Sequence, residues 1–156
     1  MDATGAERRT VIVTGGTRGI GAAISTAFHA SGARVIVGAR KDNGLAERLE
    51  GRARFHVIDA RRPEDHKALV RAAVAWTGRL DVYVNSAGFS GWRSVEKVDA
   101  EFWDEMIDTN LKGTFFGCQA AAERLGAGGC IINVSSLAGK RGSANNAVYC
   151  ASKFGV

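Results

Sequence analysis

Proline is almost missing: Pro63 is the one proline in 156 residues. That excludes a proline-rich linker, and twenty glycines without a G-x-y period exclude a collagen-like chain. Cysteine is also scarce. Cys118, Cys130 and Cys150 are odd in number and form no C-x-x-C, so free thiols in a reducing compartment are expected rather than a disulfide scaffold. The histidines His29, His56 and His66 have neither H-x-x-x-H nor H-E-x-x-H spacing, and no metal site is expected. No apolar run approaches the roughly 18 residues of a membrane span, so no membrane partner is expected. Residues Met1 to Arg9 carry charges with no apolar stretch behind them and do not read as a secretory signal. A cytoplasmic protein is the expectation.

What is present suits a soluble globular chain. Hydrophobic residues make up 46% and charged residues 24%, and the length fits a single domain over 1–156. Net charge is +5, from 21 basic and 16 acidic residues. The basic residues are scattered, with no group larger than Arg8-Arg9, Arg40-Lys41, Arg61-Arg62 or Lys140-Arg141. No nucleic-acid partner is therefore expected, and a small phosphate-bearing ligand accounts for the excess as well.

The chain alternates strand and helix. Thr10-Val11-Ile12-Val13-Thr14 is a β-branched run that reads as a strand buried on both faces. Ile20, Ile24, Ala27 and Phe28 recur at helical spacing, and Gly32 stops that helix. Residues 34–37 form a second strand, Leu45 and Leu49 mark a short helix, and residues 55–58 form a third strand. Pro63 opens a helix striped by Leu69, Val70, Ala73 and Val74 and closed by Gly78. Residues 80–84 are a fourth strand. Trp103, Ile107, Leu111, Phe115, Cys118, Ala122 and Leu125 fall on one face of a long helix. Residues 130–134 make a fifth strand, and a last helix begins near Val148. Five strands alternating with helices predict an α/β doubly wound parallel sheet of Rossmann type, in the order 3-2-1-4-5. Ligands of such sheets bind where the winding reverses, which draws attention to the loops after strands one, four and five.

The loop Thr14-Gly15-Gly16-Thr17-Arg18-Gly19-Ile20-Gly21 sits at the first strand-to-helix junction. Glycines there allow a sharp turn and a close approach to a pyrophosphate, with helix N-terminal amides facing the anion. The spacing differs from G-x-G-x-x-G, and a tight turn without a ligand is the alternative.

T-G-x-x-x-G-x-G after the first strand resembles the cofactor loop of the short-chain dehydrogenases/reductases. Further segments match that family in order: Asp59 after strand three, Asn85-Ser86-Ala87-Gly88 after strand four, Asn110 in the long helix, Ser136 after strand five, and Tyr149-Cys150-Ala151-Ser152-Lys153 as a Y-x-x-x-K. The resemblance implies an oxidoreductase that moves hydride between a nicotinamide dinucleotide and a small carbonyl or secondary-alcohol substrate. It implies cofactor contacts from Thr14, Gly15, Thr17, Arg18, Gly19, Ile20, Gly21, Asp59 (to the adenine), Asn85, Ala87, Gly88, Tyr149 and Lys153.

Cofactor preference turns on charge. The end of strand two, where family members that prefer NAD place an acid, holds Ala39, followed by Arg40; Arg18 lies in the glycine loop. Two guanidinium groups beside a missing carboxylate favour a 2′-phosphate, hence NADP(H), with NAD(H) as the alternative.

Tyr149 and Lys153 are one helical turn apart and share a face. A phenol is a poor base at neutral pH, and a nearby ammonium favours phenolate. The resemblance implies that Tyr149 is the general acid/base, that Lys153 also holds the nicotinamide ribose, and that Ser136 rather than Ser135 bonds the substrate oxygen. Asn110 corresponds to the residue that kinks the long helix and holds a water in a proton relay; a buried asparagine satisfying backbone groups is the other reading. A serine hydrolase is excluded, because no G-x-S-x-G surrounds Ser135 or Ser136 and no histidine follows them. Cys150 reads as a packing residue. Phe89, Trp92 and Ala138 give a partly apolar pocket mouth and leave the substrate open.

The sequence ends at Val156, where family members usually continue into further strands and a substrate-binding segment. The expected consequences are an exposed apolar edge on strand five and a weakened helix-on-helix homo-oligomer, with a homo-oligomer or a complementing C-terminal fragment as the alternative partners. The alternative function is a catalytically inactive, truncated nucleotide-binding or assembly module.

Overall fold

A computed structural model describes residues 9–156. Arg8 and most of the residues weighed above as a leader lie outside them. Five strands form one parallel sheet in the order β3-β2-β1-β4-β5, as the alternation predicts. They are β1 (Thr10–Thr14), β2 (Arg34–Ala39), β3 (Ala53–Val57), β4 (Val82–Asn85) and β5 (Cys130–Asn133). The helices are α1 (Gly19–Ala30), α2 (Leu45–Arg48), α3 (Pro63–Thr77), α4 (Ala100–Ile107), α5 (Gly113–Ala122) and α6 (Ala147–Gly155). None is long and apolar enough to cross a membrane among the described residues.

The central strands alternate between two cores. Ile12, Ile36 and Tyr83 point to one face, where they meet Leu69, Val70 and Ala73 of α3 and Ala120 and Ala121 of α5. Val11, Val13, Val35, Val37, Val82 and Val84 point to the other, against Ile24 and Phe28 of α1. Both faces are covered, so both sides of each strand are apolar. Burying one such valine or leucine stabilises the fold by about 1.5–3 kcal/mol.

Helix boundaries follow local chemistry. Pro63 occupies the first turn of α3 with Glu64 and Asp65, and Gly78 ends the helix at φ +79. Asp99 caps α4 by accepting the Phe102 N–H at 2.8 Å. The fourth strand starts two residues later than the sequence suggests. Leu80 is buried but precedes the ladder, because the Asp81 carboxylate takes the Thr10 N–H at 2.8 Å. Ile20, read as part of the α1 stripe, is 64% exposed.

The long helix differs most from expectation. It breaks into α4, a π turn at Asp108–Lys112, and α5. Its buried face runs through Met106, Asn110, Gly113, Gly117, Ala120 and Ala121. Of the expected stripe, Trp103 and Phe115 are exposed, while Ile107, Leu111 and Cys118 are half-buried. Close packing selects a small-residue face: a Cβ at Gly113 would stand 2.7 Å from the Ala60 carbonyl oxygen in the turn before α3, and one at Gly117 would collide with Asn85 Oδ1 of β4. Bulky residues sit one position over because they cannot enter that contact. β5 pairs only with β4 among the described residues, with Ile132 at 39% exposure.

Candidate functional site

The residues singled out by the sequence gather at the carboxyl ends of the strands. Thr14 pairs in register with Gly38 on β2 and with Asn85 on β4, and Asn85 pairs with Asn133 on β5. Thr14 ties two loops together: its Oγ1 donates to the Val84 carbonyl at 3.3 Å and accepts from Ser86 and Ala87 N–H at 3.2 and 3.3 Å.

The glycine loop is shaped by contact. A Cβ on Gly15, which has φ +64, would lie 2.7 Å from the Ala87 Cα, and a Cβ on Gly21 would overlap the Gly15 carbonyl. Gly19 differs: at φ +52 it faces open space. It begins α1, whose preceding residue Arg18 gives no side-chain cap and whose first turn has no acid. Backbone donors are thus left at that end of the helix. Ser25, buried, donates to the Gly21 carbonyl at 2.9 Å. Asn43 binds the Thr17 carbonyl oxygen and holds the loop from the β2 side. Sequence reasoning missed Asn43; an Asn in the turn after strand two carries no signal of a partner so far back in the chain.

Arg18 and Arg40 are exposed. Arg40 follows β2, and its charge lies close enough to Asp59 to help lower that acid's pKa. The larger cause is Arg61, whose side chain bonds both Asp59 oxygens. Asp59 is held at a pKa of about 2.

At the other end, the loop after β5 is stitched to α6. Lys153 is buried, and its Nζ donates to the Val134 carbonyl at 2.8 Å; burial lowers its pKa. The same Nζ lies 5.9 Å from the ring centroid of Tyr149, which is half-buried. Ser135 donates to the Lys153 carbonyl at 3.0 Å, whereas Ser136 is half-buried and accepts the Ala138 N–H at 3.1 Å. Ser135 is thus committed to the scaffold, and the Ser136 hydroxyl keeps its proton free to donate. Cys150 is buried.

Asn110 is fully buried in the π turn. Its Oδ1 accepts the Phe89 N–H at 3.0 Å, and its Nδ2 donates to the Phe89 carbonyl at 2.9 Å and to Ser152 Oγ at 3.1 Å. The helix is interrupted at Asn110, and its side chain satisfies the backbone groups of Phe89. Ser152, missed from sequence, links the π turn to α6 and also donates to the Tyr149 carbonyl at 2.7 Å. Asn85 donates to Asn133 Oδ1 at 2.9 Å. The site therefore offers open space beside Gly19 at the start of α1, a carboxylate after β3, and a phenol, an ammonium and a hydroxyl beside β5.

Comparison with known proteins gives the same organisation. A family profile described as short chain dehydrogenase matches residues 9–156. The chain is 36% identical over 156 residues to the D-threitol dehydrogenase of Mycolicibacterium smegmatis, covering 95% of this chain and 60% of that protein. It is 39% identical over 161 residues to the trans-4-hydroxycyclohexanecarboxylate dehydrogenase of Sinomonas cyclohexanicum, covering 95% and 62%. The crystal structure of a protein provisionally assigned as a short-chain alcohol dehydrogenase, from Sinorhizobium meliloti 1021, superposes with a TM-score of 0.87 at 40% identity, over 94% of this chain and 62% of that one. The chain thus spans about three fifths of the length of these relatives. With the match running from the first strand through the Tyr149–Lys153 helix, the chain belongs to the short-chain dehydrogenase family.

Proposed function

We propose that the protein is an NADP(H)-dependent oxidoreductase acting on a small carbonyl or secondary-alcohol substrate. The observation that carries this is that the glycine loop, Asp59 and the Tyr149–Lys153 turn all lie at the carboxyl ends of the strands. The residues fit a dinucleotide: the Gly19 opening and uncapped α1 amides suit a pyrophosphate, and the Asp59 carboxylate suits the adenine amine. Arg61 competes for that carboxylate; the pair is partly exposed and therefore weak enough for an amine to displace one of its contacts. Arg18 and Arg40, with Ala39 in place of an acid, support the 2′-phosphate and thus NADP(H) over NAD(H).

When bound, the nicotinamide supplies or accepts the hydride. Tyr149 Oη gives a proton to the substrate oxygen during reduction and takes it back during oxidation. Lys153, fixed by the Val134 carbonyl, sets its ammonium near the Tyr149 ring and would hold the ribose hydroxyls. Ser136 donates to the substrate oxygen as its charge develops. Asn110 fixes the backbone of Phe89 against α6, so the loop carrying Ala87 and Gly88 keeps its place beside Thr14. Phe89 and Ala138, half-buried, and exposed Trp92 supply a partly apolar mouth. The exposed Trp103 and Phe115 on α4 and α5, with Phe154 on α6, support assembly with a second copy.

The test is NADPH consumption with a panel of small ketones. Turnover abolished by Tyr149→Phe supports this reading. NADPH binding without turnover, unchanged by Tyr149→Phe, would instead favour a non-catalytic nucleotide-binding module.

A further inference from the structure

One buried pair takes no part in the chemistry above. His66 of α3 and Tyr83 of β4 are both fully buried. The Tyr83 hydroxyl lies 2.7 Å from His66 Nδ1, and His66 Nε2 lies 2.8 Å from the Ala60 carbonyl oxygen. A carbonyl only accepts, so Nε2 carries the ring proton and donates to Ala60; Nδ1 then accepts from the Tyr83 hydroxyl. Burial lowers the His66 pKa and raises that of Tyr83, which keeps both neutral and the donor chain running one way, from Tyr83 through His66 to Ala60.

The adjacent residue grips the preceding peptide. Asp65 Oδ2 accepts the Asp59 N–H at 2.8 Å. Gly113 also closes on the Ala60 carbonyl, where a Cβ would stand 2.7 Å from the oxygen. The Asp59–Ala60 turn is thereby fixed by two successive side chains of α3 and by the backbone of α5. An aliphatic pair at positions 66 and 83 would fill the same core, and polar groups there are tolerated only when hydrogen-bonded. The pair places its one outgoing hydrogen bond on the Ala60 turn, so its consequence lies there.

We propose that His66, oriented by Tyr83, is the positioning residue of the Asp59–Ala60 turn, holding the Asp59 carboxylate where it reads the exocyclic amine of adenine. This rests on the cofactor reading above. His66 touches no ligand; it acts through the Ala60 carbonyl and the turn attached to it.

The test compares dissociation constants of NADPH and its hypoxanthine counterpart, which lacks the amine, by protein fluorescence. The wild-type protein favours the adenine form by about tenfold, and His66→Leu lowers that ratio below about threefold while remaining folded by circular dichroism. His66→Gln, whose amide can donate to the Ala60 carbonyl, restores most of the ratio; a role in packing alone would not. If His66→Leu does not fold, Tyr83→Phe, which removes only the hydroxyl, is read in the same way and lowers the ratio to about fivefold or less. An unchanged ratio in the folded variant overturns the proposal. Equal binding of both nucleotides by the wild type also overturns it and leaves the cofactor reading standing. A wild type that binds neither nucleotide overturns both.

Discussion

Ser135 donates its hydroxyl to the backbone carbonyl of Lys153, 3.0 Å away. The neighbouring Ser136 makes no such commitment, since its oxygen only accepts from Ala138. The two serines therefore separate by readout. Ser135→Ala costs about 1 kcal/mol of stability, measured by urea unfolding, and leaves the chemical step close to wild type. Ser136→Ala loses the acceptor of the Ala138 N–H, costs a similar amount of stability, about 0.5–1 kcal/mol, and lowers kcat about 100-fold. The reverse pattern would assign the substrate oxygen to Ser135.

The glycines of the first loop fail for different reasons. Gly21→Ala drives a methyl group into the Gly15 carbonyl, so overpacking costs about 3 kcal/mol and the loop opens. Gly19→Ala meets no atom and pays only for its left-handed backbone, about 1 kcal/mol. Thermal unfolding ranks the two. NADPH titration shows the larger affinity loss for Gly21→Ala.

Replacing the two arginines tests cofactor choice. Arg40→Ala and Arg18→Ala each weaken NADPH binding about tenfold and leave NADH within about twofold, because each removes charge-assisted bonds to a 2′-phosphate. Calorimetric titration of both nucleotides checks this. Tighter NADH than NADPH binding by the wild type would reverse the assignment.

Acid sensitivity follows from Asp59. Its folded pKa is depressed to about 2, chiefly by the hydrogen bond from Arg61. A depressed carboxylate contributes stability above its unfolded pKa, near the ordinary value of 3.8, and loses it as pH falls through the folded value. Stability therefore declines between about pH 4 and pH 2, and Asp59→Asn or Arg61→Gln removes on the order of 1 kcal/mol of that total decline, since the pair is partly exposed. Urea midpoints across this range give the measurement.

The order and direction of the strands were legible because each β-branched run is closed by glycine or polar residues and followed by helical spacing. Thr10–Thr14 and its glycine loop, Pro63 opening α3 and Gly78 closing it, and the Tyr149–Lys153 turn all lie where local pattern puts them. The face of the long helix was not legible. Hydrophobic periodicity favours large side chains, whereas close contact with the Ala60 turn selects Gly113 and contact with β4 selects Gly117, and the π turn at Asn110 has no periodic signature. Partners remote in sequence also escaped: Asn43 to Thr17, Ser152 to Asn110, and His66 to Tyr83. Each is a polar contact created by the packing of elements that sequence pattern alone does not bring together.

In the proposed reading a dinucleotide lies across the carboxyl ends of β3, β2, β1, β4 and β5. A co-crystal with NADPH tests it most directly. The expected density has the pyrophosphate against the Gly19 and Ile20 amides, the adenine beside Asp59, and the nicotinamide ribose within reach of Lys153 Nζ and Tyr149 Oη. Coenzyme density elsewhere on the surface, or a nicotinamide remote from Tyr149, would contradict it.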